Sequence, residues 1–376
     1  MNNAEYYLGL LKKHRRHLHQ NPELAHMEFA TSEYIKTNLA ELGYSPYNVF
    51  ENGVVCFADF GCERAIAFRA DIDALPIKEK NEVEYASQNP GVMHACGHDG
   101  HTALVLVLAE YLKKEDIKPK RNVLFVFQPA EETDGGAEKM IAEGILEKYN
   151  VTEVLGIHVS ADYKSGEFAS TKGEFFAGGC ELYFDVNGVS AHAAKPDEGI
   201  NAVYASCELV RLIKSRICEN PKYEKSAILS LCTLNSGTKC NIIPSEAKIS
   251  GIMRAFNPQI FEEILSDILG ICREVEKTTS AKVTFTPVRT YIPLINNPDL
   301  FDFVKRAADG NLKEASKTFL TDDFAYFAKA RPALYILVGI CDQKHSSPIH
   351  SDTFDFDEKS LLYALDLYLN VLKSFD

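Results

Sequence analysis

The sequence predicts an α/β protein: a mostly parallel sheet flanked by helices, interrupted by an inserted α+β domain of ferredoxin-like type. Three observations predict this. Short apolar runs alternate with helical stretches at both ends of the chain. One of those runs, Asn122–Gln128, is apolar on both faces, as a central parallel strand is. Between about Phe176 and Thr290 the pattern changes to strands with one solvated face, in the order β-α-β-β-α-β, the split ferredoxin-like unit.

Taken in order, residues 4–20 read as a helix with a basic face of Lys12, Lys13, Arg15 and Arg16, and His14, His17 and His19 sit among those charges as solvated or structural groups. Pro22 ends that helix. Thr31–Leu42 reads as an amphipathic helix closed by Gly43. The runs Gly53–Phe60 and Ala65–Ala70 are strands, and Asp71 follows the second. Met93–Ala109 carries His94, Cys96, His98, Asp99 and His101 ahead of an apolar helix reaching about Lys114. Beyond Asn122–Gln128 come Glu131 and Glu132, then a helix from Ala137. Val154–Ile157 is a strand ending in His158, and Ala333–Ile340 a strand with His350 in the loop beyond. Within the insert the strands are Glu181–Val186, Ala227–Leu234, Ala247–Arg254 and Lys282–Thr286, with helices near Asn201–Ile217 and Pro258–Glu276. The expected domains are 1–175 and 291–376 for the first, and 176–290 for the insert.

Composition narrows the functional classes. A chain of 376 residues exceeds one ordinary core, which agrees with two domains. A formal net charge of −13 argues against nucleic acid or an anionic membrane surface as a partner. No apolar run approaches the ~20 residues of a spanning helix, and the N-terminal stretch shows no signal-peptide pattern. Ten cysteines at irregular spacing without a CxxC pair suit reduced thiols, so the expected location is the cytoplasm.

Ligands bind beyond the carboxyl ends of strands in open α/β sheets. Asp71, Glu131, Glu132, His158 and His350 all fall at predicted strand exits. Cys96, His98, Glu132, His158 and His350 are five candidate ligands, too many for one tetrahedral zinc. Two divalent metals sharing a bridging group would use them all. A pair of that kind polarises a carbonyl and ionises water near neutral pH. Glu131 is then free as general base, and Asp71 can orient a ligand histidine.

The strings HACGHDGHTA, FQPAEE, GIHV and PIHSDTFDFDE, with RRHLHQNPELAHMEFAT near the start, resemble the amidohydrolase branch of the dinuclear-metal aminoacylase and carboxypeptidase family, metallopeptidase clan MH. That branch includes hippurate hydrolases, auxin-conjugate hydrolases and N-acetyl-diaminopimelate deacetylases. The resemblance covers essentially the whole chain and implies a zinc-exopeptidase-like fold. It implies that Cys96 bridges two divalent ions (Zn, Mn, Co or Ni), with Glu132 and His350 on one and His98 and His158 on the other. Glu131 is the implied base and Asp71 a support for the ligands. It further implies that the insert is a lid through which a homodimer forms, and that His192 contacts the reacting carbonyl from the partner subunit. Asn241 and Arg254 match substrate-holding positions, the guanidinium suiting a free α-carboxylate. Two departures are Asp197, where the branch often has histidine, and Asp322, where an acidic pair usually begins with glutamate.

The expected activity is metal-dependent hydrolysis of the amide bond of a small N-acyl amino acid, with no nucleic-acid or membrane partner. Alternatives are a carboxypeptidase or dipeptidase using the same site, a Cys96 nucleophile activated by His98, and a metal- or small-molecule-binding protein without turnover. The cysteine alternative leaves Glu132, His158 and His350 without a task.

Overall fold

The frame of the first unit is an eight-stranded sheet whose inner strands are apolar on both faces. A computed structural model describes residues 3–115 and 117–375. In it β1 (Tyr47–Val49), β2 (Gly53–Ala58), β3 (Ala65–Asp71), β4 (Asn122–Gln128), β5 (Val151–Lys164) and β6 (Phe168–Ser170) join the strands Leu312–Glu314 and Ala333–Cys341. The order is β1-β2-β4-β3-β5, then Ala333–Cys341, β6 and Leu312–Glu314. The central four, β4, β3, β5 and Ala333–Cys341, run parallel, and β1 and β2 add antiparallel pairs at one side. Every residue of β3 and β4 is buried, as helices on both faces demand.

Helix α1 (Ala4–Gln20) and the C-terminal helix Lys359–Ser374 pack on α3 (His98–Lys114). Helix α2 (Phe29–Glu41) packs on α3 and β2. All of α3 from His98 to Leu112 is buried, which explains its near absence of a polar face. Its cap is Gly97, at φ 89°, so Asp99 lies inside the first turn. A side chain at Gly97 would need the left-handed region and would place Cβ 2.4 Å from Val159, so only glycine fits.

One sequence expectation changes here. His158 lies inside β5, opposite Leu337, because β5 runs on past Ile157 while keeping a pairing partner in Ala333–Cys341. Of the two roles the sequence leaves open on α1, His14 and His19 take the structural one: with Arg15 they are buried, because acids and aromatics from distant segments meet them.

The second unit comprises Glu174–Leu294 and Lys317–Asp322; the first holds the chain up to Gly173, Ile295–Ser316 and the part from Asp323 onward. The second unit is a four-stranded antiparallel sheet in the order Ala227–Ser236, Glu246–Ala255, Gly178–Asn187, Lys282–Arg289. Helices Ala202–Ile213 and Pro258–Thr279 bury their apolar stripes against it. Each starts at an asparagine side-chain cap, Asn201 and Asn257. The short return stretch is tied in by Ala177 N–H to Leu320 O and by Thr318 N–H to Phe175 O. A sequence boundary at 291 could not show it, since those contacts span some 140 residues of chain. Among the described residues no helix is long and apolar enough to cross a membrane.

Candidate metal centre

Parallel strands bring their carboxyl ends to one edge of the first sheet, and there the candidate ligands meet. Cys96 Sγ lies 3.3 Å from His158 Nε2 and 3.3 Å from His350 Nε2. Glu132 Oε1 stands 3.2 Å from His350 Nε2 and 3.9 Å from His98 Nε2. Two donor triads result, Cys96–His98–His158 and Cys96–Glu132–His350, and Cys96 belongs to both. The Glu131 carboxylate joins His98 and Glu132 in a further group, all within 4.8 Å of one another. Asp71 Oδ2 is 3.8 Å from His98 Nε2.

The chain sets the tautomers of these rings. His98 Nδ1 lies 2.9 Å from the carbonyl of Asp73, which can only accept, so Nδ1 donates and Nε2 is the nitrogen that a metal would take in place of a proton. His158 Nδ1 likewise donates to Val159 O at 2.7 Å and turns Nε2 toward Cys96. His101 Nε2 accepts from Val159 N–H at 3.0 Å, which leaves its Nδ1–H to donate to Asp71 Oδ1 at 2.6 Å. Asp71 in turn pairs with the buried Arg69, whose Nη2 donates to Asp323 Oδ1 at 2.9 Å. Asp323 also accepts from Gln128 and from the Ala137 N–H at the start of α4 (Ala137–Ala142). His350 holds its place with φ 63° and a backbone N–H bond to Ala95 O at 2.7 Å.

Electrostatics mark the same cluster. Burial, reinforced by Glu132, Glu131 and Asp71, holds the Cys96 thiol well above its ordinary pKa. His98 is pushed up to about 10: burial opposes the shift, but Asp71, Asp73 and Glu132 outweigh it. Burial, with His101 nearby, pulls His158 down to about 3. Burial also works against ionisation of Asp71, yet Arg69 and then His98 and His101 hold it well below the usual carboxylate range.

Metal ions fit this donor set. His98 Nε2 is buried without a hydrogen-bond partner, a costly state for a polar atom, and a cation taking its lone pair would relieve it. Thiolate, imidazole and carboxylate are the ligand types of zinc and related divalent metals. A dication beside Cys96 would also reverse the field that keeps its thiol protonated.

The comparisons with known proteins bear on this geometry. The model of Peptidase family M20/M25/M40 matches residues 67–374. The chain belongs to that family. An uncharacterized hydrolase of Staphylococcus haemolyticus is 32% identical over 381 residues, 98% of each chain. A crystal structure from methicillin-resistant Staphylococcus aureus superposes with TM-score 0.93 at 30% identity, covering 99% of this chain and 98% of that one. A dinuclear metal-binding M20 peptidase of Bacillus subtilis gives TM-score 0.85 at 26% identity over 99% of this chain and 100% of its own. This chain is thus an M20 hydrolase, a metal-binding enzyme of the peptide- and amide-cleaving kind.

The other sequence candidates lie in the second unit of the M20 chain. His192 is exposed on the two-residue strand Ala191–His192, which pairs with Ile242–Ile243. Ala193 N–H donates to Asn241 O, so His192 and Asn241 occupy neighbouring turns. Arg254, on Glu246–Ala255, is half-buried and donates to Thr321 Oγ1 at 2.8 Å; no acid among the described residues pairs with it. Asp197 is exposed in a short 3-10 turn.

Several supports escaped the sequence reading. Asp73 accepts from the Glu132 N–H at 2.9 Å through Oδ2 and holds His98 through its carbonyl. His101, Arg69 and Asp323 complete the chain of bonds behind Asp71. Asp73 had a visible signal as the second acid of Asp71-Ile72-Asp73, His101 as a histidine of the Met93–Ala109 stretch and Asp323 as part of the Asp322-Asp323 pair; their partners, and Arg69 altogether, are too distant in sequence to read.

Proposed function

We propose that this chain is a metal-dependent amidohydrolase that cleaves N-acyl amino acids to a carboxylic acid and a free amino acid. What carries the reading is the meeting of two donor triads at Cys96 with the Glu131 carboxylate alongside. Cys96, Glu132 and His350 would hold one divalent ion, and Cys96, His98 and His158 the other. Bound there, such a pair polarises the acyl carbonyl and lowers the pKa of water into the neutral range.

The chain's own residues do the rest. Glu131 accepts a proton from the attacking water and returns it to the leaving amine, since a carboxylate that is not a ligand can do both. Asp73 and Val159 keep His98 and His158 in the tautomers that offer Nε2. Arg254, lacking an acid partner, receives the free α-carboxylate of the substrate. Asn241 fixes the substrate beside it, and His192, supplied by the lid of a partner chain in a homodimer, donates to the oxygen that gains charge.

A dipeptidase or carboxypeptidase is the second reading, favoured by the description of the Bacillus subtilis relative as a peptidase. The deciding experiment is a steady-state comparison of N-acetyl, N-benzoyl and aminoacyl substrates with the same leaving amino acid. Higher kcat/KM on N-acyl substrates supports the proposal, whereas higher values on aminoacyl substrates replace it with the dipeptidase. Activity that survives complete metal removal contradicts both.

A further inference from the structure

One buried cluster stands behind the metal centre without belonging to it. Arg15, on α1, has no exposed side-chain surface. Its Nε donates to Asp99 Oδ2 at 3.1 Å, its Nη2 to Asp355 Oδ1 at 2.6 Å, and its Nη1 stands 3.4 Å from Glu358 Oε1. The guanidinium carbon lies 4.0 Å from the centre of the Phe356 ring. His19 Nδ1 is 2.8 Å from Asp99 Oδ2, and the Tyr85 hydroxyl donates to Asp355 Oδ2 at 2.8 Å.

The two acids that Arg15 joins have a particular place in the chain. Asp99 directly follows His98 and stands three residues after Cys96, while Asp355 stands five after His350. Arg15 therefore bridges two of the four segments that supply the triads, the Cys96–His98 turn and the His350 loop. Packing repeats the link: Phe356 sits so close to Gly100 that a Cβ there would lie 2.7 Å from its ring. Remove the guanidinium and the buried Asp99 and the partly buried Asp355 lose the cation they share; His19 stays beside Asp99, but nothing then ties the two segments together. Lysine would keep the charge but lose the planar fork that reaches both acids at once.

We propose that Arg15 is a positioning residue for the metal centre: by bridging Asp99 and Asp355 it fixes the spacing of the Cys96–His98 turn and the His350 loop, and with it the site's affinity for divalent cations. The inference rests on the metal-centre reading above.

The test is Co²⁺ titration of metal-free parent protein, Arg15→Lys and Tyr85→Phe, read by the thiolate-to-cobalt absorption band, with thermal unfolding of each metal-free protein alongside. Supporting outcomes are cobalt binding at least about tenfold weaker in R15K with an altered band, and a smaller loss in Y85F at an unfolding midpoint near the parent's. A purely structural arginine would lower the midpoint without moving cobalt affinity or spectrum, and that result overturns the proposal. Should R15K not fold, Y85F decides: parent-like affinity and spectrum there overturn it equally. A parent that binds no cobalt sinks the metal-centre reading itself and takes this inference with it, whereas tight parental binding unchanged in R15K defeats the inference alone.

Discussion

Asp71 Oδ1 accepts the Nδ1 proton of His101 at 2.6 Å while its other oxygen pairs with Arg69, so one fully buried carboxylate serves a histidine and a guanidinium together. Asn at this position would keep the shape and lose the charge. Asp71→Asn is expected to destabilise the metal-free protein by about 3–5 kcal/mol, because Arg69 loses an ionised partner in the interior. Urea unfolding measures this; a change near zero would mean that Asp323 alone satisfies Arg69.

Glu131→Ala should retain metal and lose rate. The expected drop in kcat is about 10²–10⁴-fold, the range for removing a general base. Metal content and kcat measured on the same preparation check it. Parent-like turnover would remove Glu131 from the mechanism.

The carboxylate role of Arg254 predicts a substrate-dependent loss. Arg254→Met should lower kcat/KM about 10–100-fold on N-acyl amino acids, which corresponds to losing a charge-assisted bond of about 1.5–3 kcal/mol. On the matching N-acyl amino acid amides, which have no α-carboxylate, the change should be small. Equal losses on both series would show that Arg254 holds the sheet instead of the substrate.

His14 gives a pH prediction remote from the metal centre. Burial, with Lys13 nearby, lowers it to about 4, and its Nδ1 meets the Tyr34 hydroxyl at 2.8 Å. An unfolded histidine takes up a proton near pH 6.5, so between about 6.5 and 4 only the unfolded chain binds it. The contribution of the neutral ring is therefore full above about pH 6.5 and is lost as the pH falls toward 4. The slope is at most about 1.4 kcal/mol per pH unit. His14→Gln should flatten the decline in unfolding free energy between pH 7 and 5 by up to one proton, measured by urea titration. An unchanged slope would contradict it.

The same residues show what the sequence could and could not convey. Asn122–Gln128 was readable to the residue, because a strand covered on both faces leaves a continuous apolar run. The five candidate ligands were legible because three of them, Glu132, His158 and His350, fall at predicted strand exits and the other two, Cys96 and His98, crowd one turn ahead of a helix; the sheet topology then decides where they meet. His158 was misplaced by the same logic, since nothing local ends β5 at Ile157. The sequence leaves His19 as either solvated or structural and shows Arg15 only as part of a basic face, because their partners Asp99, Glu79 and Asp355 stand 60 to 340 residues away. The same distance hid Asp323 from Arg69, 254 residues apart. Helical periodicity reports which face is charged; it does not report whether distant acids cover that face.

The central claim is that Cys96, His98, Glu132, His158 and His350 surround a pair of divalent ions on which hydrolysis depends. Metal content and amidohydrolase activity measured on the same protein, before and after exhaustive chelation and again after adding Mn²⁺, Zn²⁺ or Co²⁺, test it most directly. The account predicts about two equivalents per chain, the number a dinuclear site holds, with activity lost on stripping and regained on reloading. Full activity in demonstrably metal-free protein would contradict it.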